Sequence, residues 1–551
     1  MSAVERFFRQ VIILIAVCFL SALGCSAQGV RPRPETTSRV DRYLSTLARE
    51  GRLSGAVLVA RGGRVLLSKG YGMADMENAV KNSQRTKFRI GSITKQFTAA
   101  AIMMLQERGK LHTEDNICKY FTDCPEAWRQ LSVRHLLTHT SGLWNYINSP
   151  DFTNTMMSPS PAPRILESIK KMPLEFAPGA QYRYSNSNYF LLANIAERVS
   201  GQPFNAFLQE NIFAPLKMIN TGADDASLVL KDRAAGYSRR ADSIVNAGYI
   251  QPSAFFGSGN IYSTVEDLYL WDQALYAGTV ISRKSLEEMF TPFRENYGYG
   301  FVIDRHFGLK RVWHGGGLNG FNSMFVRYPE IRATIIALSN TDFLDTVSVS
   351  GKVARLTFAD KVTLPAEVKL EPGMLKEYAG RYDALSRNFT YDITVEGNQL
   401  FLEPQRGERR RLVPTSATTF YDDEAGDVRL AFNKGESGVT DFTLVDDQLS
   451  RTSARKVVLP PPSLEGNTTF RLKGHLKAKV VALAGSFNGW SQSTTLCAKM
   501  SSEWVCRLDL SPGKYQYKFV VDGNWIIDPG NPEVEDDGSG TINSVMTVPV
   551  K

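Results

Sequence analysis

The stretch Gly91-Ser92-Ile93-Thr94-Lys95-Gln96-Phe97 places a serine and a lysine three residues apart, just ahead of the apolar run that extends from Phe97 to Leu105. The run predicts a buried helix that begins near Ser92. A serine there lies beside unpaired backbone N–H groups, and a lysine three positions on lies on the same helix face. Burial lowers the pKa of an amine, which can then accept the proton of a hydroxyl. The spacing predicts a nucleophile, Ser92, served by Lys95. The competing interpretation is a helix cap with a solvated lysine.

Length and composition indicate an ordinary globular protein of several domains. The chain has 551 residues, of which 43% are hydrophobic and 22% are charged, so we expect roughly three or four domains. The net charge of +8 is spread along the sequence, and its densest basic cluster is the run 406–411. A solvated strand end explains that cluster better than an anionic partner does. We therefore expect no nucleic-acid binding.

Residues 1–27 have the layout of a secretory signal: Arg6 and Arg9 precede an apolar run followed by small residues. Two cleavage sites compete. The run 22–25 resembles a bacterial lipoprotein signal, which would leave Cys25 lipidated, whereas cleavage after Ala27 would release a soluble protein. In both cases the mature chain is expected outside the cytoplasm, periplasmic or secreted. A lipid on Cys25 is the single membrane contact that we expect.

The other cysteines form two local pairs, Cys118 with Cys124 and Cys497 with Cys506. An oxidising compartment favours two short-loop disulfides, and two pairs of free buried thiols are the alternative. No Cys/His arrangement has the spacing of zinc ligands. We expect neither a metal nor another cofactor.

The sequence pattern divides the mature chain into three units. Residues 36–360 mix helical and strand patterns, and residues 368–457 show short alternating runs typical of an all-β unit. A stiff linker, Leu459-Pro460-Pro461-Pro462, leads to a second all-β unit at residues 466–551.

Two later motifs support the nucleophile prediction. They are Tyr184-Ser185-Asn186 and Trp313-His314-Gly315-Gly316-Gly317. In this order the three elements resemble the penicillin-recognising serine hydrolases, which include class C β-lactamases, D-alanyl-D-alanine carboxypeptidases, D-aminopeptidases and related esterases. The stretches 135–143 and 257–264 are similar to that family as well. The resemblance implies an α/β (α+β) fold in which helices flank an antiparallel sheet.

The same resemblance implies a role for each motif residue. Ser92 would form an acyl-enzyme, Lys95 and Tyr184 would move the proton, and Asn186 would position the substrate. The N–H groups of Ser92 and Gly317 would form an oxyanion hole.

His314 stands where many relatives have a lysine. Histidine is mostly neutral near pH 7, so we expect hydrolysis of an ester or a D-amino-acid peptide rather than efficient β-lactam hydrolysis. A space-filling role is the alternative for His314. Ser141 and Ser258, in glycine turns, are the weaker candidates for the nucleophile. The remaining histidines of the hydrolase unit are interpreted as structural or surface residues: His112, His135, His139 and His306.

The two all-β units also resemble known modules. The run 378–382 resembles the opening of a small lipocalin-like barrel, which would either cap the active site or bind a neighbouring domain. The C-terminal unit resembles the glycogen-binding module of AMP-activated kinase β subunits, an immunoglobulin-like β-sandwich.

The second resemblance implies an α-glucan site. Its sugar-binding positions fall on Trp490, Lys518, Trp525 and Asn543, where indole faces would cover glucose rings and the polar groups would bond hydroxyls. Ser539 replaces a leucine of the kinase modules, which would weaken binding. The alternative is that Trp490 and Trp525 are core residues of a sandwich that only packs on the enzyme.

Together these patterns predict a secreted serine hydrolase that acts on a small ester or peptide and carries an α-glucan-binding module. A non-catalytic or merely acylatable penicillin-binding receptor, tethered to carbohydrate, is the alternative function.

Overall fold

The computed structural model describes residues 34–549 apart from 150–151, 159–160, 241–242, 359, 362–365, 385–389, 405–408, 423–428, 436–437, 446–450, 458–459, 479 and 537–541. The predicted signal, the lipidation site at Cys25 and the substitution at Ser539 lie outside the described residues.

Thirteen described strands and ten described helices build the hydrolase unit. The strands are β1 (Gly55–Arg61), β2 (Arg64–Tyr71), β3 (Met73–Asp75), β4 (Val80–Lys81), β5 (Phe88–Arg89), β6 (Gly222–Ala223), β7 (Tyr237–Arg240), β8 (Ser243–Asn246), β9 (Ile261–Ser263), β10 (Val302–His306), β11 (Leu309–Leu318), β12 (Phe321–Tyr328) and β13 (Ala333–Ser339). The helices are α1 (Pro34–Arg49), α2 (Thr94–Glu107), α3 (Val133–Leu137), α4 (Phe152–Met157), α5 (Pro161–Lys171), α6 (Asn186–Ser200), α7 (Phe204–Leu208), α8 (Val265–Ala277), α9 (Arg283–Met289) and α10 (Thr346–Thr357).

An antiparallel sheet in the order β10-β11-β12-β13-β1-β2 forms the centre of this unit. Its strand β1 is buried on both faces: Leu58 packs with α2 and α8, whereas Val57 and Val59 pack with α1 and α10. Helices therefore cover both faces of the sheet, which explains why β1 is an unbroken apolar run. This architecture agrees with the expected fold. A short sheet has the order β5-β9-β6. Its strand β5 ends at Arg89, three residues before the candidate nucleophile Ser92.

The second unit is a closed barrel of eight antiparallel strands, preceded by α11 (Pro372–Tyr378). Its strands are β14 (Gly380–Ala384), β15 (Thr390–Glu396), β16 (Gln399–Pro404), β17 (Arg410–Pro414), β18 (Thr419–Asp422), β19 (Arg429–Gly435), β20 (Gly438–Val445) and β21 (Arg451–Val457). Strand β14 pairs with β21 and closes the barrel around an aromatic core. A barrel was expected, and its kinship to lipocalins stays a prediction.

The third unit consists of two sheets, in the orders β22-β25-β24 and β23-β26-β29-β28, with β27 paired to β26. Its strands are β22 (Thr468–Lys473), β23 (Val481–Gly485), β24 (Ala498–Lys499), β25 (Glu503–Leu508), β26 (Gly513–Val521), β27 (Asn524–Ile526), β28 (Val534–Asp536) and β29 (Ile542–Val548). The sheets share an apolar core around Phe470 and Phe519. The immunoglobulin-like classification stays a prediction.

Both cysteine pairs are disulfides in the structure: Cys118 is bonded to Cys124, and Cys497 to Cys506. Each joins residues close in sequence, six and nine positions apart. The free-thiol alternative does not describe this structure.

Polar contacts join the units. Arg410 of the barrel bonds Asp345, which caps α10 of the hydrolase unit, and also pairs with Asp422 at 3.3 Å. Ser493 of the third unit donates to Asp383 of the barrel at 2.9 Å. Arg410 belongs to the basic cluster at 406–411, for which a solvated strand end was predicted. At Arg410 the structure instead places two carboxylates, those of Asp345 and Asp422.

None of the helices that the structure describes combines the length and the apolar character needed to cross a membrane. The described residues also contain no group of three metal-ligating side chains.

Candidate active site

Ser92 lies in a 3-10 turn, Gly91–Ile93, which continues directly into α2. Its neighbours Gly91 and Ile93 are buried, whereas Ser92 is half-buried. The turn requires glycine at position 91, because φ is +51° and a Cβ would lie 2.9 Å from the backbone nitrogen of Gly317. The sequence thus presents one hydroxyl at the edge of a tightly packed turn.

Lys95 lies one turn further along α2 and is fully buried. Its Nζ is 2.9 Å from Ser92 Oγ, 2.8 Å from Asn186 Oδ1 and 2.8 Å from the carbonyl oxygen of Ser258. Burial places the pKa of the amine well below its usual range. The solvated-lysine interpretation is therefore incompatible with this structure.

These three contacts suit a neutral amine. The Asn186 and Ser258 oxygens can only accept hydrogen bonds, so they take the two hydrogens of an NH₂ group. The remaining lone pair then faces the Ser92 hydroxyl, which can donate to it. The arrangement can deprotonate Ser92 without help from a histidine.

Tyr184 lies on the other side of the amine, with its ring centroid 4.8 Å from Lys95 Nζ. Burial raises the pKa of its phenol, and a hydrogen bond with Ser92 opposes that shift. The phenol is therefore within hydrogen-bond reach of Ser92. Asn186 opens α6, and its backbone N–H donates to Asn145 Oδ1 at 3.1 Å.

The glycines of β11 run alongside the turn that holds Ser92. A Cβ at Gly316 would lie 2.1 Å from the Ile90 carbonyl oxygen and 2.9 Å from the Ser92 nitrogen. Ser323 of β12 fixes this approach by donating to the same Ile90 oxygen at 2.7 Å. The backbones of Ser92 and the glycine strand are thus close enough to present N–H groups to one substrate oxygen.

His314 stands on β11 just before the glycines and is buried. Its Nδ1 is 2.6 Å from the Gly315 carbonyl oxygen, and its Nε2 is 2.9 Å from the Tyr297 hydroxyl. The structure therefore brings all six predicted positions together: Ser92, Lys95, Tyr184, Asn186, His314 and Gly317.

The weaker nucleophile candidates are almost inaccessible. Ser141 and Ser258 are each 1% exposed. Ser141 donates to Asn188, and Ser258 contributes its carbonyl, not its hydroxyl, to Lys95.

Sequence reasoning missed three contributors: Asn145, Tyr297 and His139. The buried His139 packs against the Tyr184 ring with centroids 4.4 Å apart. A structural or surface role is the expectation for His139, and its buried ring agrees with the structural role. The tyrosine-glycine repeat at 297–300 was a usable signal for Tyr297, since such a repeat marks close backbone packing.

The third unit gathers its predicted sugar-binding residues on one sheet face. Lys518 lies opposite Ala484, and Trp525 lies opposite Val520, which places both side chains on the face away from the sandwich core. The Trp490 and Trp525 ring centroids are 6.2 Å apart. Both rings are half-buried on a small outer cluster. Asn543 is 1% exposed and donates to Gln516 at 2.9 Å.

Comparisons with known proteins agree with both halves of this description. The beta-lactamase family model matches residues 40–356, and the model of the glycogen recognition site of AMP-activated protein kinase matches residues 467–551. Penicillin-binding protein 4* of Bacillus subtilis (strain 168) is 30% identical over 449 residues, which are 75% of this chain and 97% of that protein.

Two more distant similarities are informative. The teichoic acid D-alanine hydrolase of Staphylococcus aureus (strain MRSA252) is 26% identical over 319 residues, covering 55% of this chain and 73% of that protein. The octameric penicillin-binding protein homologue from Pyrococcus abyssi has the same fold, with a TM-score of 0.54 at 23% identity, over 76% of this chain and 99% of that one. This chain is thus a serine hydrolase of the β-lactamase and penicillin-binding protein family, with a C-terminal module of the glycogen-recognition type.

Proposed function

We propose that this protein is an extracytoplasmic hydrolase that forms an acyl-enzyme on Ser92 and cleaves an ester, a D-amino-acid peptide or a related amide. The observation that carries the proposal is the 2.9 Å contact between Lys95 Nζ and Ser92 Oγ. Burial lowers the pKa of that amine well below its usual range, which favours the neutral form that can act as a base.

The reaction follows from the geometry. Lys95 takes the proton of Ser92 Oγ as this oxygen attacks the substrate carbonyl carbon. The N–H groups of Ser92 and Gly317 stabilise the oxyanion, a contribution of about 3 kcal/mol per donor in comparable sites. Tyr184 and Lys95 pass the proton to the leaving group, whose bond to the carbonyl carbon then breaks. Water attacks the acyl-enzyme, and its proton returns to Ser92 by the same groups.

D-alanyl esters and D-amino-acid amides are the substrate classes we favour. A relative is named for D-alanine hydrolysis on teichoic acid. Burial, the largest cause, lowers the pKa of His314 to about 3, so its ring is neutral at working pH. A neutral ring cannot form the ion pair with the carboxylate of a β-lactam that a charged lysine would form.

The C-terminal module is proposed to bind α-glucan. The family match and the paired Trp490 and Trp525 rings on one sheet face support this assignment. The two disulfides and the layout of residues 1–27 support a periplasmic or secreted location, with or without a lipid on Cys25.

The decisive experiment is intact-protein mass spectrometry after brief exposure to p-nitrophenyl acetate, followed by steady-state assays on D-alanyl esters, D-amino-acid amides and β-lactams. The native protein should gain one acyl group and turn over, and Ser92→Ala should do neither. Ser502→Ala removes an exposed serine of the third unit and serves as the matched control. Full turnover by Ser92→Ala would reject the proposal.

The alternative is an acylatable receptor without catalysis. A burst of one product equivalent with no later rate on any of these substrates would favour that alternative. Sustained turnover would exclude it.

A further inference from the structure

The hydrogen bonds of His314 define which of its nitrogens carries the proton. Nδ1 lies 2.6 Å from the Gly315 carbonyl oxygen, which can only accept, so the hydrogen is on Nδ1. In the neutral ring Nε2 then keeps a lone pair. The Tyr297 hydroxyl lies 2.9 Å away and donates to it. Both ring nitrogens are therefore occupied by the protein itself.

The surroundings of this pair exclude water. Tyr297 is 1% exposed and His314 is 5% exposed. The titratable groups that face them are Lys95 from α2, His139 from the loop after α3, Tyr182 and Tyr184 from the segment before α6, and Tyr189 from α6. None of these is a carboxylate that would stabilise an imidazolium.

We infer that Tyr297 is a positioning and specificity-determining residue: its hydroxyl holds His314 as the neutral Nδ1–H tautomer, so that the site accepts acyl donors that carry no carboxylate beside the glycine strand. The inference rests on the proposed function and names the substrate class of the same site. A carboxylate placed there would lose its water and find no cation, which is costly in a dry site. A neutral acyl group carries no charge and meets no such penalty.

The tautomer can be tested without activity. Ring ¹⁵N NMR of the full chain, with the His314 signals assigned through their loss in His314→Gln, should show Nδ1 protonated and Nε2 unprotonated from pH 5 to 8.5. In Tyr297→Phe, Nε2 should become protonated in part of the molecules. A wild-type ring protonated on Nε2, or a Tyr297→Phe spectrum identical to wild type, would overturn the inference.

Selectivity is tested with p-nitrophenyl butyrate and mono-p-nitrophenyl succinate, which differ by a methyl group and a carboxylate. Wild type should prefer the butyrate at least tenfold in kcat/KM, with a ratio that is constant between pH 6 and 8.5, where the carboxylate is ionised. In Tyr297→Phe the ratio should fall at least threefold as the pH is lowered to 6. His314→Lys should lower it at least tenfold at every pH, because it installs a cation.

Tyr328→Phe is the matched control. Tyr328 forms the same kind of buried bond, with its hydroxyl 2.5 Å from His306 Nδ1. It lies on β12 six residues beyond Asn322, the partner of Gly317, which is about 20 Å along the strand. This variant should retain the wild-type ratio and its pH independence. An equal change in Tyr328→Phe would show a general loss of packing and would overturn the inference.

Failure of the acyl-enzyme proposal can be distinguished from failure of the specificity inference. If Ser92→Ala still hydrolyses the butyrate ester, the acyl-enzyme proposal fails, whatever the NMR spectra show. If Ser92→Ala is inactive but wild type prefers the succinate, the specificity inference alone fails.

Discussion

The amine of Lys95 lies 2.8 Å from the backbone carbonyl oxygen of Ser258, a residue 163 positions further along the chain. This contact and the one to Asn186 orient the amine from two separate segments, the turn at Ser258 and the first residue of α6. Both partners are oxygens that only accept hydrogen bonds, so they take the two hydrogens of the neutral amine. The lone pair of Lys95 Nζ then points at the Ser92 hydroxyl.

The buried amine should make folding depend on pH. The pKa of Lys95 is lowered in the folded state, so between that folded pKa and about pH 10.4 the unfolded chain binds one proton more than the folded chain. Stability therefore rises with pH between the folded pKa and about pH 10.4, by up to about 1.4 kcal/mol per pH unit. Denaturant unfolding of Lys95→Met should lack this slope between pH 7 and 9.5.

Lys119→Met is a suitable control for that measurement, because Lys119 is mostly exposed and paired with Asp115. The Lys119→Met variant should change the free energy of unfolding by the same amount at every pH in that range. Parallel pH curves for wild type and Lys95→Met would contradict a neutral buried amine.

Catalysis should require an amine that can lose its proton. Arginine stays charged at any working pH. We expect Lys95→Arg to lose at least about a thousandfold in kcat/KM for an activated ester, consistent with the loss of a general base. Raising the pH should not restore the rate. Wild type should reach its plateau well below pH 10, and a wild-type rate still rising at pH 10 would argue for an ordinary lysine.

Tyr184 is expected to carry the proton, and Tyr182 is not. Tyr184→Phe should reduce kcat by roughly a hundredfold or more, with a larger loss for amides than for p-nitrophenyl esters, because an amine needs protonation to leave. Tyr182→Phe removes a phenol two residues away, and its loss should be less than about threefold. Equal losses in both variants would assign the effect to packing.

Two neighbouring glycines should respond differently to alanine. At Gly316 a Cβ would lie 2.1 Å from a backbone oxygen, so β11 must move away from Ser92. Gly316→Ala should lose at least about a hundredfold in kcat, the scale of one lost oxyanion donor. At Gly317 the nearest atom is Asn322 Oδ1 at 3.3 Å, and the backbone N–H remains. Gly317→Ala should stay within about tenfold of wild type, and the reverse order would contradict this account.

Glucan binding is tested by affinity electrophoresis of the full chain through glycogen. Wild type and Ser92→Ala should be retarded equally, because the module is separate from the catalytic residues. Trp490→Ala and Trp525→Ala should each lose most of the retardation, because stacking of a sugar ring on an indole supplies a large apolar contact. Unretarded wild type would leave the third unit as a packing domain.

Local spacing predicted much of the candidate site. Ser92 and Lys95 are three residues apart on a helix, so their proximity follows from helix geometry alone. The alternating runs likewise predicted the two all-β units, since strand periodicity is a local property. Asn145, Tyr297 and the Ser258 carbonyl could not be found this way, because their contacts join segments distant in sequence.

By itself, the amino-acid sequence determined which hydroxyl and which amine meet, because one helical turn brings them together in any folded context. Tertiary structure alone decided their chemical state. The charge of Lys95 depends on how completely distant segments exclude water, and the tautomer of His314 depends on a phenol supplied by another loop. Desolvation and hydrogen bonding act through space, so neither can be read from spacing along the chain.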